Sequence, residues 1–162
     1  MWNEINEQAN TLFEICNKKK IYITTVESCT GGMIASSIVS ISGSSKIYKS
    51  SLITYSNQSK ASFLNIPIEL INENGAVSEV VAYEMAKNIL SIMDANISIA
   101  VTGIAGPSGG SIDKPVGLVW IGIGTKKKIL TKKYIFQGNR LKVRQQTTLE
   151  ALKLAYDVVN DL

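Results

Sequence analysis

Residues 21–32 read IYITTVESCTGG. The β-branched run from Ile21 to Val26 has the character of a buried strand, and it passes without a linker into Glu27-Ser28-Cys29-Thr30-Gly31-Gly32. Beyond the two glycines, Ile34, Ala35, Ile38, Val39 and Ile41 recur at helical spacing. Strand, tight turn and helix in immediate succession are the opening of a strand–helix–strand unit, so this stretch predicts a parallel sheet covered by helices. It also places residues 28–32 at a helix start, where backbone N–H groups lack intrahelical partners and can hold an anion.

Working outward, the segment before the strand, MWNEINEQANTLFEICNKKK, carries Ile5, Ala9, Leu12, Phe13 and Cys16 at helical spacing among acidic residues. That is an amphipathic helix rather than a signal or transit peptide. After the Gly43-Ser44-Ser45 break, Tyr48 to Tyr55 reads as a second strand, and Ser56-Asn57 starts a helix over Gln58 to Leu64. Pro67 opens a further short segment, and Ser78 is a good cap for a helix with Ala82, Ala86, Ile89, Leu90 and Met93 on its apolar side. Ile97 to Thr102 is an apolar strand, followed by a loop, Gly103 to Gly110, that holds four of the twelve glycines. Val116 to Gly124 and Ile129 to Phe136 form a hairpin around Thr125-Lys126-Lys127-Lys128. A last helix begins near Gly138-Asn139 with Leu141, Leu149, Leu152, Ala155, Tyr156 and Val159 on one side. This order predicts one domain over residues 1–162, a three-layer α/β/α sandwich with a mostly parallel mixed sheet and an antiparallel hairpin. Ligands of such sheets sit at the carboxyl ends of the strands, where the turn after Val26 and the loop after Thr102 both emerge.

With 162 residues, 45% of them hydrophobic, the chain can bury one sizeable core. A net charge of +4 without a long basic run argues against nucleic acid as the partner and suits a phosphorylated small molecule. No apolar run approaches the roughly 20 residues that span a bilayer. Cys16 and Cys29, with no secretion signal, read as free thiols, which makes the cytoplasm the expected location. There is no histidine. Its absence removes Ser-His-Asp and Cys-His arrangements and imidazole metal sites, and leaves lysine, carboxylates or tyrosine for proton transfer. No metal or other cofactor is expected. The sequence leaves the oligomeric state open, a homo-oligomer included.

Ser28 sits where a carbonyl carbon near its oxygen would face free N–H groups of Gly31 and Gly32, which is acyl-transfer geometry. Ser28 or Thr30 acting only as a helix cap is the plainer reading of the turn alone. A serine nucleophile without histidine needs a lysine of lowered pKa, and Lys60, just after Tyr55-Ser56-Asn57, is the best placed; the alternative is a surface lysine. Cys29 is a second candidate nucleophile, since a helix start lowers a thiol pKa. The 103–110 loop matches neither a P-loop nor a dinucleotide fingerprint and suits close backbone approach to phosphate or ribose, aided by the hydroxyls of Thr102 and Ser108. Arg140 and Arg144, the only arginines, lie one turn apart and form a candidate phosphate clamp.

Taken together, Val26-Glu27-Ser28-Cys29-Thr30-Gly31-Gly32, Tyr55-Ser56-Asn57 with Lys60, Gly75-Ala76-Val77-Ser78, Val101 to Pro107, Lys114-Pro115-Val116-Gly117 and Phe136 to Arg140 with Arg144 resemble the CinA C-terminal domain family. That family comprises nicotinamide-nucleotide amidohydrolases, and the resemblance runs in unbroken order from about Ile21 to the last helix. It implies hydrolysis of nicotinamide mononucleotide to nicotinate mononucleotide and ammonia through a serine–lysine pair, Ser28 and Lys60, with Tyr55 as a further catalytic position. Thr30, Gly31, Gly32, Thr102, Gly103, Gly106, Arg140 and Arg144 are the implied substrate-binding positions. Many members carry an additional N-terminal domain, and the chain looks like the stand-alone form. Departures are Val26 where alanine is common, Pro107-Ser108-Gly109-Gly110 where glycine more often follows the proline, and Leu118 where threonine is usual; none falls on Ser28 or Lys60. The competing reading is a non-catalytic nucleotide-binding or competence-associated accessory module.

Overall fold

The computed structural model describes residues 1–162. The first helix, α1 (Trp2–Lys19), buries Ile5, Ala9, Leu12, Phe13 and Cys16, the stripe that its periodicity picks out. Then follow β1 (Ile23–Glu27), α2 (Met33–Val39), a short 3₁₀ turn (Ser44–Lys46), β2 (Tyr48–Ile53), α3 (Asn57–Leu64), α4 (Ile68–Asn74) and α5 (Glu79–Met93). The chain ends in β3 (Ile97–Gly103), the hairpin β4 (Leu118–Thr125) and β5 (Ile129–Ile135), and α6 (Arg140–Asn160). The five-stranded sheet has the order β2-β1-β3-β4-β5. Its β2, β1 and β3 are parallel, while β4 runs antiparallel to β3 and β5 antiparallel to β4. Among the cross-strand pairs, Thr102 of β3 stands opposite Trp120 of β4.

Helices α1, α2 and α6 cover one face and α3, α4 and α5 the other. Strand alternation divides the core accordingly. Ile23, Ile97, Ile99, Val101, Val119, Ile121 and Ile123 pack toward α1 and α6, whereas Val26 and Ala100 pack with Leu64, Ile71, Val81, Met85 and Ile89 on the α5 side. Gly122 lets α5 lie directly on the sheet, because a Cβ there would stand 2.7 Å from the Ala82 carbonyl oxygen. No helix is long and apolar enough to cross a membrane.

Side-chain caps fix three helix starts. Ser56 and Ser59 form a reciprocal capping box on α3, Ser78 accepts from the Val81 N–H on α5, and Asn139 accepts from Lys142 on α6. Some local expectations need correction. β2 ends at Ile53: Thr54 makes the last bond to β1, its N–H donating to the Glu27 carbonyl, and the chain then enters the α3 cap at Ser56. Ile41 lies beyond α2, which stops at Val39. Leu141 is exposed in the first turn of α6, whose buried side instead carries Val143, Thr147, Ala151, Leu152 and Ala155. At the end of α6, the Val159 and Asn160 carbonyls accept from the Lys19 ammonium.

Candidate active site

The carboxyl ends of β1, β2 and β3 lie side by side, and Ser28 follows β1 with its backbone held between its neighbours. Its N–H donates to the Val101 carbonyl (3.1 Å), while the adjoining Glu27 carbonyl accepts from Thr54 (2.9 Å). Alternation along β1 sends Glu27 toward α2 and Ser28 toward the α3 side. There α3 presents Lys60 from its first turn. The Lys60 Nζ stands 3.1 Å from Ser28 Oγ and donates to the Thr54 carbonyl at 2.7 Å. Lys60 is 1% exposed and has no carboxylate partner. Burial penalises its charged form and lowers its pKa from the ordinary 10.5 to about 8. In the structure Nζ donates to both oxygens; on losing a proton the amine keeps an N–H for the Thr54 carbonyl and its freed lone pair can accept from the Ser28 hydroxyl.

The pair opens on a cavity of about 230 Å³ whose lining includes Cys29, Tyr55, Val77, Thr102, Gly103 and Arg140. Arg140 spans its mouth, donating to the Gly106 carbonyl (2.8 Å) and to the Tyr55 hydroxyl (2.9 Å). Neither Arg140 nor Arg144 pairs with a carboxylate. Thr102 Oγ1 donates to the Ala76 carbonyl (2.8 Å), which fastens the segment before α5 to the cavity wall. A larger hollow, about 400 Å³, lies between α5 and the β4–β5 hairpin among Lys87, Lys126, Lys127 and Lys128. It contains no nucleophile–base pair.

Three expectations fail on geometry. The N–H groups of Gly31 and Gly32 are not free. Gly31 donates to the Ser28 carbonyl, and Glu27 fills the start of α2, accepting from Thr30 Oγ1 (2.6 Å) and from the N–H groups of Gly32 (3.0 Å), Ile34 (3.1 Å) and Ala35 (2.8 Å). The unpartnered amides of the turn are those of Cys29 and Thr30. Second, Cys29 is buried beside the turn, and loss of water pushes its thiol up to about 12, the opposite direction to the lowering expected of a helix start. Third, the two arginines do not form a clamp. Arg140 reaches the cavity, but Arg144 donates to the Thr30 carbonyl at 2.7 Å behind the turn.

The model of the CinA C-terminal domain matches residues 5–159. The chain belongs to the CinA C-terminal domain family. It is 45% identical over 137 residues to a putative competence-damage inducible protein of Clostridium beijerinckii, covering 85% of this chain and 33% of that one. It is 43% identical over 149 residues to a CinA-like protein of Petrotoga mobilis, covering 92% and 37%. This CinA domain thus spans about a third of the length of the curated relatives it matches. The competence/damage inducible protein CihA from Agrobacterium tumefaciens superposes on it with a TM-score of 0.93 at 35% identity, over 97% of this chain and 96% of that chain. A CinA superfamily protein from Klebsiella pneumoniae gives 0.94 at 28%, over 98% and 99%.

In this CinA domain the fold brings Ser28, Lys60, Tyr55, Thr102, Gly103 and Arg140 to one cavity, and leaves Thr30, Gly31, Gly32 and Arg144 in the scaffold of the nucleophile turn. Two residues that sequence reasoning passed over also belong to the site. Glu27 organises the turn, and its place in the alternation of β1 was the available signal. Thr54 holds Lys60 through its carbonyl, for which no side-chain pattern gives a signal.

Proposed function

We propose that this CinA domain is a cytoplasmic amidohydrolase that converts nicotinamide mononucleotide to nicotinate mononucleotide and ammonia. The observation that carries the reading is the buried 3.1 Å contact between Lys60 Nζ and Ser28 Oγ at the wall of an accessible cavity. Family membership supports the substrate class. The neutral Lys60 amine takes the Ser28 proton as Oγ attacks the carboxamide carbon, and the developing oxyanion turns to the unpartnered amide of Cys29 at the cavity wall. Collapse of the tetrahedral intermediate breaks the C–N bond, the Lys60 ammonium returns its proton to the leaving nitrogen, and ammonia departs. The amine then activates water against the acyl-serine, releasing the carboxylate and restoring the hydroxyl.

With the pyridine carboxamide beside Ser28, the ribose and phosphate extend toward Arg140 at the cavity mouth. An uncompensated guanidinium at that place favours a phosphate. Tyr55, bonded to Arg140, braces it from the other side. Incubation with nicotinamide mononucleotide, with ammonia and nicotinate mononucleotide measured together, tests substrate and reaction at once. Equal release of both products is expected. Binding without either product would leave a non-catalytic nucleotide-binding module.

A further inference from the structure

Thr30 is completely buried, and two of its polar groups are tied down from opposite sides: its hydroxyl to Glu27 at 2.6 Å and its carbonyl to Arg144 at 2.7 Å. Its third polar group, the N–H, has no partner. Arg144 stands outside the cavity on α6, so it reaches the chemistry only through the backbone of the turn that carries Ser28. Glu27 anchors the same turn to α2 through three further N–H bonds. A turn gripped at both ends is held in one conformation, and its free amides are then set relative to Ser28 Oγ before any substrate arrives.

We propose that Arg144 is a positioning residue that clamps the Thr30 carbonyl and so fixes the Ser28 nucleophile and the Cys29 amide beside it, while Arg140 alone meets the substrate phosphate. The inference rests on the amidohydrolase reading and divides the labour between the two arginines within it. A phosphate ligand acts only on substrates that carry phosphate. A positioning residue acts on every substrate and on any other reagent that needs the serine.

The test compares wild type, Arg140→Ala, Arg144→Ala and Arg144→Lys on nicotinamide mononucleotide and on nicotinamide riboside, which lacks the phosphate. Ser28 labelling by a fluorophosphonate is measured alongside; there the serine oxygen bonds to phosphorus, fluoride leaves and Lys60 takes the proton. Arg144→Ala should lower kcat about 100-fold on both substrates, the scale of a small misplacement of reacting groups, and slow labelling to a similar degree. Arg144→Lys, which keeps one donor, and added methylguanidinium, which fills the space left in Arg144→Ala, should each restore part of the loss. Arg140→Ala should raise KM far more for nicotinamide mononucleotide than for nicotinamide riboside. A raised KM confined to nicotinamide mononucleotide in Arg144→Ala, with kcat and labelling intact, would overturn the assignment. If Arg144→Ala does not fold, the same comparison is made on Arg144→Lys. Wild-type protein that labels at Ser28 but releases no ammonia would end the amidohydrolase reading, and the labelling rates would still decide the role of Arg144.

Discussion

At Lys60 the chain holds an amine where water scarcely reaches and supplies no carboxylate to keep it charged. Protonation therefore costs more than in water, and the pKa falls to about 8. The rate of a reaction that needs the neutral amine follows its neutral fraction. Activity should climb with pH up to about 8 and level off above it, and a pH profile of kcat/KM that is flat from 6 to 9 would exclude Lys60 as the base. Ser28→Ala and Lys60→Ala should each lower kcat by several orders of magnitude and the double variant by little more, because the two groups act as one unit. Steady-state ammonia release checks this, and additive losses would contradict it. At the cavity mouth, Arg140→Ala should weaken nicotinamide mononucleotide binding by about 1.5 to 3 kcal/mol, the scale of a charge-assisted hydrogen bond, as read by calorimetric titration.

Among the elements, the strand–turn–helix from β1 to α2 shows both the reach and the limit of sequence reading. Periodicity located α1, α5 and α6, the Ser56-Asn57 start located α3, and runs of β-branched and apolar residues located the five strands. The Ser28–Lys60 contact was legible because both residues follow neighbouring parallel strands. What a local pattern cannot show is where a side chain finds a partner far along the chain. Arg144 meets Thr30 across 114 positions and Arg140 meets Tyr55 across 85, so their division of roles emerged only from tertiary packing. Glu27 was hidden for another reason. A helix start was expected to bind an external anion, and the chain had already supplied one from the preceding strand. Glu27→Ala should therefore destabilise the protein by roughly 3 kcal/mol or more, because several buried donors lose their acceptor together. Urea unfolding measures this, and a loss below about 1 kcal/mol, the range of an ordinary surface cap, would show that the network is dispensable.

For the molecule as a whole, the lowered pKa of Lys60 sets a link between pH and stability. In the unfolded chain this lysine binds a proton up to its ordinary 10.5, while in the fold it gives the proton up near 8. Below pH 8 both states are protonated and the full penalty, about 3 kcal/mol, weighs against folding. Between 8 and 10.5 the unfolded state holds more protons, so this contribution to stability rises with pH and the penalty fades. Lys60→Met should consequently be inactive yet more stable than wild type near pH 7, by about 2 kcal/mol once the orphaned Thr54 carbonyl is allowed for. That advantage should shrink as pH passes 9. Urea midpoints of both proteins at pH 7 and pH 9.5 check the sign, and an advantage that grows with pH would refute it. Cys16, whose thiol burial pushes up to about 12, opposes this trend in both proteins alike and cancels in the comparison.

The pairing of Thr102 with Trp120 across β3 and β4 gives the domain an optical reporter of its own site. Thr102 lines the cavity, and residues directly opposite in an antiparallel pair stand about 5 Å apart at Cβ, so the indole of Trp120 lies one strand away from any bound ring. The other tryptophan, Trp2, is half exposed at the start of α1 and contributes only background emission. In a Trp2→Phe protein the fluorescence therefore comes from a single indole beside the cavity. An electron-poor pyridinium ring entering there is expected to quench it, so occupancy can be followed by light in the Ser28→Ala variant, where nothing is turned over.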